Sequence, residues 1–128
     1  NNNIHLLGYK ENVFKYFFNS EAFILSSLWE DPGFVIVEAI ACNKIVISSD
    51  CSSGPKEIIS NDKGILFKSD TKTDFLKQFN KYLELSSSNK KKLILNSKKF
   101  IKKFTLLQHY KSLLSIINYN EINAKKLS

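Results

Sequence analysis

Three features of this sequence predict an α/β fold: a parallel sheet with helices on both faces, followed by C-terminal helices. Short apolar runs, AFILSS (22–27), KIVISSD (44–50) and GILF (64–67), alternate with segments of helical pattern, the order that lays helices over parallel strands. Each run is apolar without polar alternation, as in a strand covered on both sides. The segments between them carry helix start and stop signals at their ends.

The elements follow in order. IHLLGY (4–9) reads as a strand closed by Gly8, and 12–20 as a helix with Val13, Phe14, Phe17 and Phe18 as its apolar residues. After the strand AFILSS comes the turn WEDPGF, then an apolar helix running through EAIA. Asn43 stands where that helix must stop in the left-handed conformation, which Asn tolerates better than other non-glycine residues. Beyond the strand KIVISSD, SGPKEI opens a short helix, with Ser53 or Gly54 capping, Pro55 in the first helical position and Glu57 in the first turn. NDKG (61–64) turns the chain into GILF, so four strands are expected near 4–8, 22–26, 45–49 and 64–67. Three amphipathic helices then follow, on Phe75/Leu76/Phe79/Tyr82/Leu83, Leu93/Ser97/Phe100/Ile101/Phe104 and Leu106/Leu107/Tyr110/Leu113/Leu114/Ile117. Thr105 and Gln108 form a capping-box pattern at the start of the last. One domain over 1–117 and a polar tail over 118–128 complete the reading.

With 128 residues, 43% of them hydrophobic, the chain suffices for one core. It contains no Met and reads as a fragment or processed chain. No apolar run approaches the ~18 residues that span a bilayer, and the polar start lacks the charged and apolar regions of a signal peptide; a cytoplasmic location is expected. The net charge of +7 comes from 19 cations that are all Lys. Lacking Arg, the bidentate reader of bases and phosphates, the chain is not expected to recognise nucleic acid by sequence. Lys90, Lys91, Lys92, Lys98, Lys99, Lys102 and Lys103 cluster late. They form either a solvated helix face or a peripheral contact with anionic headgroups at the inner face of the membrane.

Cys42 and Cys51 form no CxxC and have no His at ligand spacing. A strand of about six residues at ~3.3 Å each would hold them beyond disulfide reach, so both are expected to be reduced packing residues. His5 and His109 each stand alone and are expected to be structural. No Ser/His/Asp or Cys/His combination offers an activated nucleophile.

WEDPGFVIVE places Glu30 and Glu38 on either side of a turn and an apolar run. In a parallel sheet, ligands sit beyond the carboxyl ends of strands, where helix N-termini offer free N–H groups. WEDPGF follows a strand directly. Gly33 lets backbone approach a ligand, and the amides of Phe34, Val35 and Ile36 would be unpaired donors for an anionic or hydroxyl-rich molecule. Glu38, on an otherwise apolar helix, needs a partner, which ribose hydroxyls would supply. Alternatively Glu38 faces water or Lys44, and Glu30 and Asp31 merely favour a helix N-terminus. Spacing alone leaves both open. Ser26 and Ser27 at the strand end either bind a ligand or cap the turn; Lys56 either meets a phosphate or is solvated.

The run FILSSLWEDPGFVIVEAIACNKIVISSDCSSGPKEI, followed by GILF, resembles the donor-binding half of GT-B glycosyltransferases, in particular the large retaining group called glycosyltransferase group 1. The resemblance covers residues 4 to about 115. It rests on the Glu-x7-Glu pair Glu30 and Glu38, the small-residue helix end, and the Gly-Pro-x-Glu-Ile turn from Gly54 to Ile58. It implies a Rossmann-like sheet, the truncated C-terminal domain of a GT-B enzyme, that binds a nucleotide-sugar. It further implies that Glu38 holds the ribose, that the amides around Gly33, Phe34 and Val35 meet donor sugar and phosphate, and that Glu30 faces the donor sugar as the catalytic carboxylate. No cofactor or metal is implied, and the chain has no Asp-x-Asp motif. Many members of the group have Glu-Gly-Phe-Gly where this chain has Glu30-Asp31-Pro32-Gly33-Phe34. The group's earlier Gly-rich strand end, its Arg/Lys pair and its acceptor-binding N-terminal domain have no counterpart here, so this chain alone is expected to hold half a site, not to turn over, and to expose a sheet edge. The resemblance implies sugar transfer to a glycan or lipid-linked acceptor. A nucleotide-sugar epimerase of the same fold and a non-catalytic interaction domain are the alternatives.

Overall fold

A computed structural model describes residues 3–106 and 108–115 of the chain. The elements are α1 (Phe14–Asn19), β1 (Ala22–Leu25), α2 (Phe34–Ala41), β2 (Ile45–Ser49), α3 (Pro55–Ile59), β3 (Ile65–Phe67), α4 (Lys72–Leu83) and α5 (Ser87–Ile101), with a 3-10 turn over Lys102–Phe104. The strands form one parallel sheet in the order β1-β2-β3. Phe23 lies opposite Val46, and Ile47 opposite Ile65.

Pleating sends alternate residues of the strands into two cores. Val46 joins Phe17, Ile36, Ala39, Ile40, Ile58 and Ile59 on the side covered by α1, α2 and α3. Ile45, Ile47, Ile65 and Phe67 join Tyr82 on the side covered by α4. There Phe67, Phe75 and Phe79 form a chain of rings, with centroids 5.1 and 5.8 Å apart. α5 reaches both sides, through Phe100 and Ile101 to the first core and Leu93 and Ile94 to the second. The α/β class and the helices on both faces are as expected from sequence.

The expected first strand is not formed. Residues 4–8 have no strand geometry, and Leu6 is 97% exposed. A strand exists only through ladder bonds to a neighbour. Residues 4–8 make no ladder bonds among the described residues, and the edge of β1 opposite β2 is left open there. The helix expected over 12–20 also buries less than its apolar pattern suggested. Only Phe17 enters the core, edge-on to Phe23 at 5.3 Å, while Phe14 and Phe18 face out.

The punctuation residues act as their chemistry requires. Asn43 is left-handed at φ 60°, and the bonds from its N–H to Ile40 O and from Lys44 N–H to Ala39 O complete a Schellman stop for α2. Pro55 occupies the first position of α3. Ser86 Oγ accepts from Asn89 N–H at 3.2 Å to cap α5. Thr105 Oγ1 accepts from Gln108 N–H at 3.4 Å, half of the expected capping box, and residues 108–115 are helical. Leu107, Ile117 and the tail over 118–128 lie outside the described residues. Cys42 and Cys51 are buried and unbonded to each other, as expected. His5 and His109 both face solvent, which corrects the structural role expected of them: neither packs into a core.

Candidate functional site

The loops that leave β1, β2 and β3 meet at the carboxyl edge of the sheet, and short polar side chains bind them together. Ser49 Oγ donates to the carbonyl of Ser27, and Ser53 Oγ donates to the carbonyl of Glu30 at 2.6 Å, joining the first two loops. Asp50 accepts the Ser69 N–H at 2.7 Å and donates its own N–H to Phe67 O at 2.9 Å, joining the second and third.

Asp50 titrates below the ordinary carboxylate range, chiefly because of the bond from the Ser69 N–H, with a further pull from the Lys56 charge. A depressed folded-state value stabilises the fold above the unfolded value near 3.8, and that contribution is lost as pH falls below it. Asp50→Asn is therefore expected to flatten the loss of stability below about pH 4. Chemical denaturation at several acid pH values checks this; an unchanged slope would contradict it.

α2 begins against the first of these loops. Gly33 is its N-cap, left-handed at φ 77° and ψ 42°. The N–H groups of Phe34 and Val35 have no partner among the described residues, as the orphan donors of a first turn. Ile36 corrects the sequence reading. Its N–H donates back to Gly33 O at 2.9 Å and its side chain is fully buried, so it anchors α2 to the core and offers no free donor.

Both carboxylates lie at this corner. Glu30 is half-buried and folds over the cap: a methyl group built on Gly33 would lie 3.7 Å from Glu30 Oε2. Glu38 is half-buried one turn beyond Phe34, and its carboxylate makes no hydrogen bond or ion pair among the described residues. Lys44, considered as its partner, instead donates to the carbonyls of Phe18 at 3.1 Å and Ser20 at 2.7 Å, closing the end of α1. Leu28, Trp29 and Phe34 are exposed apolar side chains. Leu28 borders a cleft of about 480 Å³ that runs along the ends of β1 and β3, between Ile24, Ser26, Leu28, Phe67, Thr71 and Phe75. The structure thus sets Glu30 against the Gly33 cap, with Phe34, Val35 and Glu38 following on the same helix, and opens Ser26 onto the cleft. Lys56 is exposed on α3 and acts on Asp50.

Sequence reasoning missed the loop ties of Ser49, Asp50 and Ser53. Their one signal is the dense polar run SSDCSSG (48–54) immediately after a buried strand. The Gly-Pro turn is also explained here. Gly54 sits at φ 80° with its Cα against the other loop, so that a methyl group there would fall 2.2 Å from Pro32 O. Among the described residues no group of three or more His, Cys, Asp and Glu is arranged to hold a metal, and none of the helices there is long and apolar enough to cross a membrane.

Known proteins are similar to this chain in sequence and in fold. The family described as glycosyl transferases group 1 matches residues 1–100. Over 69 residues the chain is 44% identical to an uncharacterized glycosyltransferase of Methanocaldococcus jannaschii, a match covering 54% of this chain and 17% of that protein. Over 80 residues it is 31% identical to the N-acetylgalactosamine-N,N'-diacetylbacillosaminyl-diphospho-undecaprenol 4-alpha-N-acetylgalactosaminyltransferase of Campylobacter jejuni, covering 62% of this chain and 22% of that one. The fold is similar to that of a glycosyltransferase from Rickettsia africae, with a TM-score of 0.75 and 22% identity over 90% of this chain and 31% of the other. The chain spans about a fifth of the length of the curated relatives it matches.

Proposed function

The chain belongs to the glycosyl transferases group 1 family, and from that premise we propose that it is the donor-binding half of a retaining GT-B glycosyltransferase. In this reading the protein that carries it moves a sugar from a nucleotide-sugar to a glycan or lipid-linked acceptor held by a separate N-terminal domain. The observation that carries the reading is Glu38: a half-buried carboxylate without a protein partner, one turn inside a helix whose first amides are free, at the carboxyl edge of a parallel sheet. A polar group so placed needs a partner, and ribose hydroxyls suit a charged acceptor.

The chemistry follows from the same corner. As the glycosidic bond to the diphosphate breaks, negative charge grows on the leaving oxygens and positive charge on the sugar. The N–H groups of Phe34 and Val35, fixed by the Gly33 cap, meet the first without reorganising. Glu30, folded over that cap, faces the second and is the catalytic carboxylate. Glu30→Gln is therefore expected to lower kcat by at least about tenfold and nucleotide affinity by less than about threefold. Equal losses in both would remove the catalytic role. The name of the Campylobacter jejuni relative includes a diphospho-undecaprenol acceptor, which supports a lipid-linked acceptor and work at the cytoplasmic face of a membrane.

The direct test is to incubate the protein that carries this chain with nucleotide-sugars, with and without lipid-linked and glycan acceptors. Release of nucleoside diphosphate that depends on the acceptor supports transfer. Conversion of the sugar without acceptor would make it an epimerase, and absence of both reaction and nucleotide binding would leave an interaction domain.

A further inference from the structure

We propose that the outward face of α5 is a docking surface for an anionic lipid bilayer, with Leu95 as its apolar contact. The inference goes beyond sugar transfer and does not depend on it, because it rests on where the charge lies. Residues 85–120 carry eight lysines and no acid, whereas the rest of the chain carries eleven lysines and twelve acids. The entire basic excess is thus concentrated on α5, the 3-10 turn that follows it and the helix after that.

α5 turns Ser97, its buried residue, toward the protein. At about 100° per residue the opposite side carries Lys91, Lys92, Leu95, Lys99 and Lys102. All five are exposed, and Leu95 is 59% accessible. The flanking lysines are engaged: Lys98 Nζ donates to Asn43 Oδ1 at 2.6 Å, Lys90 lies 4.5 Å above the Tyr82 ring, and Lys103 pairs with Glu57 at 3.0 Å. The four on the outward face have no carboxylate partner among the described residues.

A stripe of lysines about 17 Å long around one exposed leucine fits a headgroup layer. Lysine stems lie along the interface with their charges among the phosphates, while the leucine reaches the acyl boundary. Nucleic acid fits less well. The stripe has no Arg to grip a phosphate in two places and no aromatic ring on which a base could stack.

Sedimentation of the chain with vesicles tests this. Phosphatidylglycerol/phosphatidylcholine vesicles are expected to pellet it, and pure phosphatidylcholine vesicles are not. At about fivefold per lysine, replacing Lys91, Lys92, Lys99 and Lys102 together by Gln should lower partitioning by several hundredfold, while the same four changed to Arg retain it. Leu95→Ser should cost about tenfold. Removing Lys10, Lys15, Lys68 and Lys77, an equal charge from elsewhere, should cost less than about tenfold. Equal losses in the two Gln quartets, or no partitioning onto anionic vesicles, would overturn the proposal. So would an unaffected Leu95→Ser variant combined with binding of single-stranded RNA as tight as that of lipid.

Discussion

Gly54→Ala should cost roughly 2–6 kcal/mol of stability, from about 1–3 of backbone strain and a similar amount of forced displacement. The residue sits at φ 80° and ψ −80°, outside the regions open to an L side chain. Its added methyl group would also fall 2.2 Å from the Pro32 carbonyl oxygen, a backbone atom with no rotamer in which to retreat. The loop that carries Glu30, Pro32 and Gly33 must therefore move, and nucleotide binding should weaken together with stability. Gly33→Ala is the control. Gly33 is also left-handed, but its methyl group would meet nothing nearer than 3.6 Å, so only about 1–2 kcal/mol is expected. Urea unfolding of both variants decides: similar small losses would mean that the two loops do not bear on each other as described.

Ile36→Ala should cost about 2–5 kcal/mol, the range for emptying a fully buried aliphatic site. Ile36 is wholly inaccessible and packs with Phe17, Ala39, Ile40 and Ile58 beneath the start of α2. Ile36→Val, which removes one methylene, should cost about 0.5–1.5 kcal/mol. Because a domain of this kind is stable by only about 5–15 kcal/mol, the alanine variant should lower the urea midpoint markedly. A loss under about 1 kcal/mol would show that Ile36 is not the anchor of this helix.

Ile36 also shows how far the sequence could be read. Its place in the first turn of α2 was legible from WEDPGF and the apolar run, and so was the orphan state of first-turn amides. Which of those amides turns back onto Gly33 depends on the cap's own dihedrals, and no residue pattern encodes that. The runs 22–27, 44–50 and 64–67 were legible as strands because parallel strands covered on both faces are continuously apolar. IHLLGY carries the same signal and forms no strand, since an apolar run says nothing about whether its backbone is laid along a neighbouring edge. Likewise Phe14 and Phe18 have the spacing of a buried face, but among the described residues no layer lies over them. The Glu30 and Glu38 corner was legible through its motif, and so was the Gly-Pro turn. Their physical reasons were not, because contacts such as Gly54 to Pro32 or Asp50 to Ser69 join residues far apart in the chain.

As the proposed ligand of the donor nucleotide, Glu38 should govern nucleotide affinity. Uridine, guanosine and adenosine diphosphates should be titrated calorimetrically into the protein that carries this chain, and the tightest of them then into its Glu38→Gln variant. Replacing a charged acceptor by a neutral amide should weaken binding by about 1.5–3 kcal/mol, roughly ten- to 150-fold, with the unfolding midpoint of the free protein unchanged. Equal affinities in two folded proteins would contradict the assignment and leave the unpartnered carboxylate as a solvated helix residue.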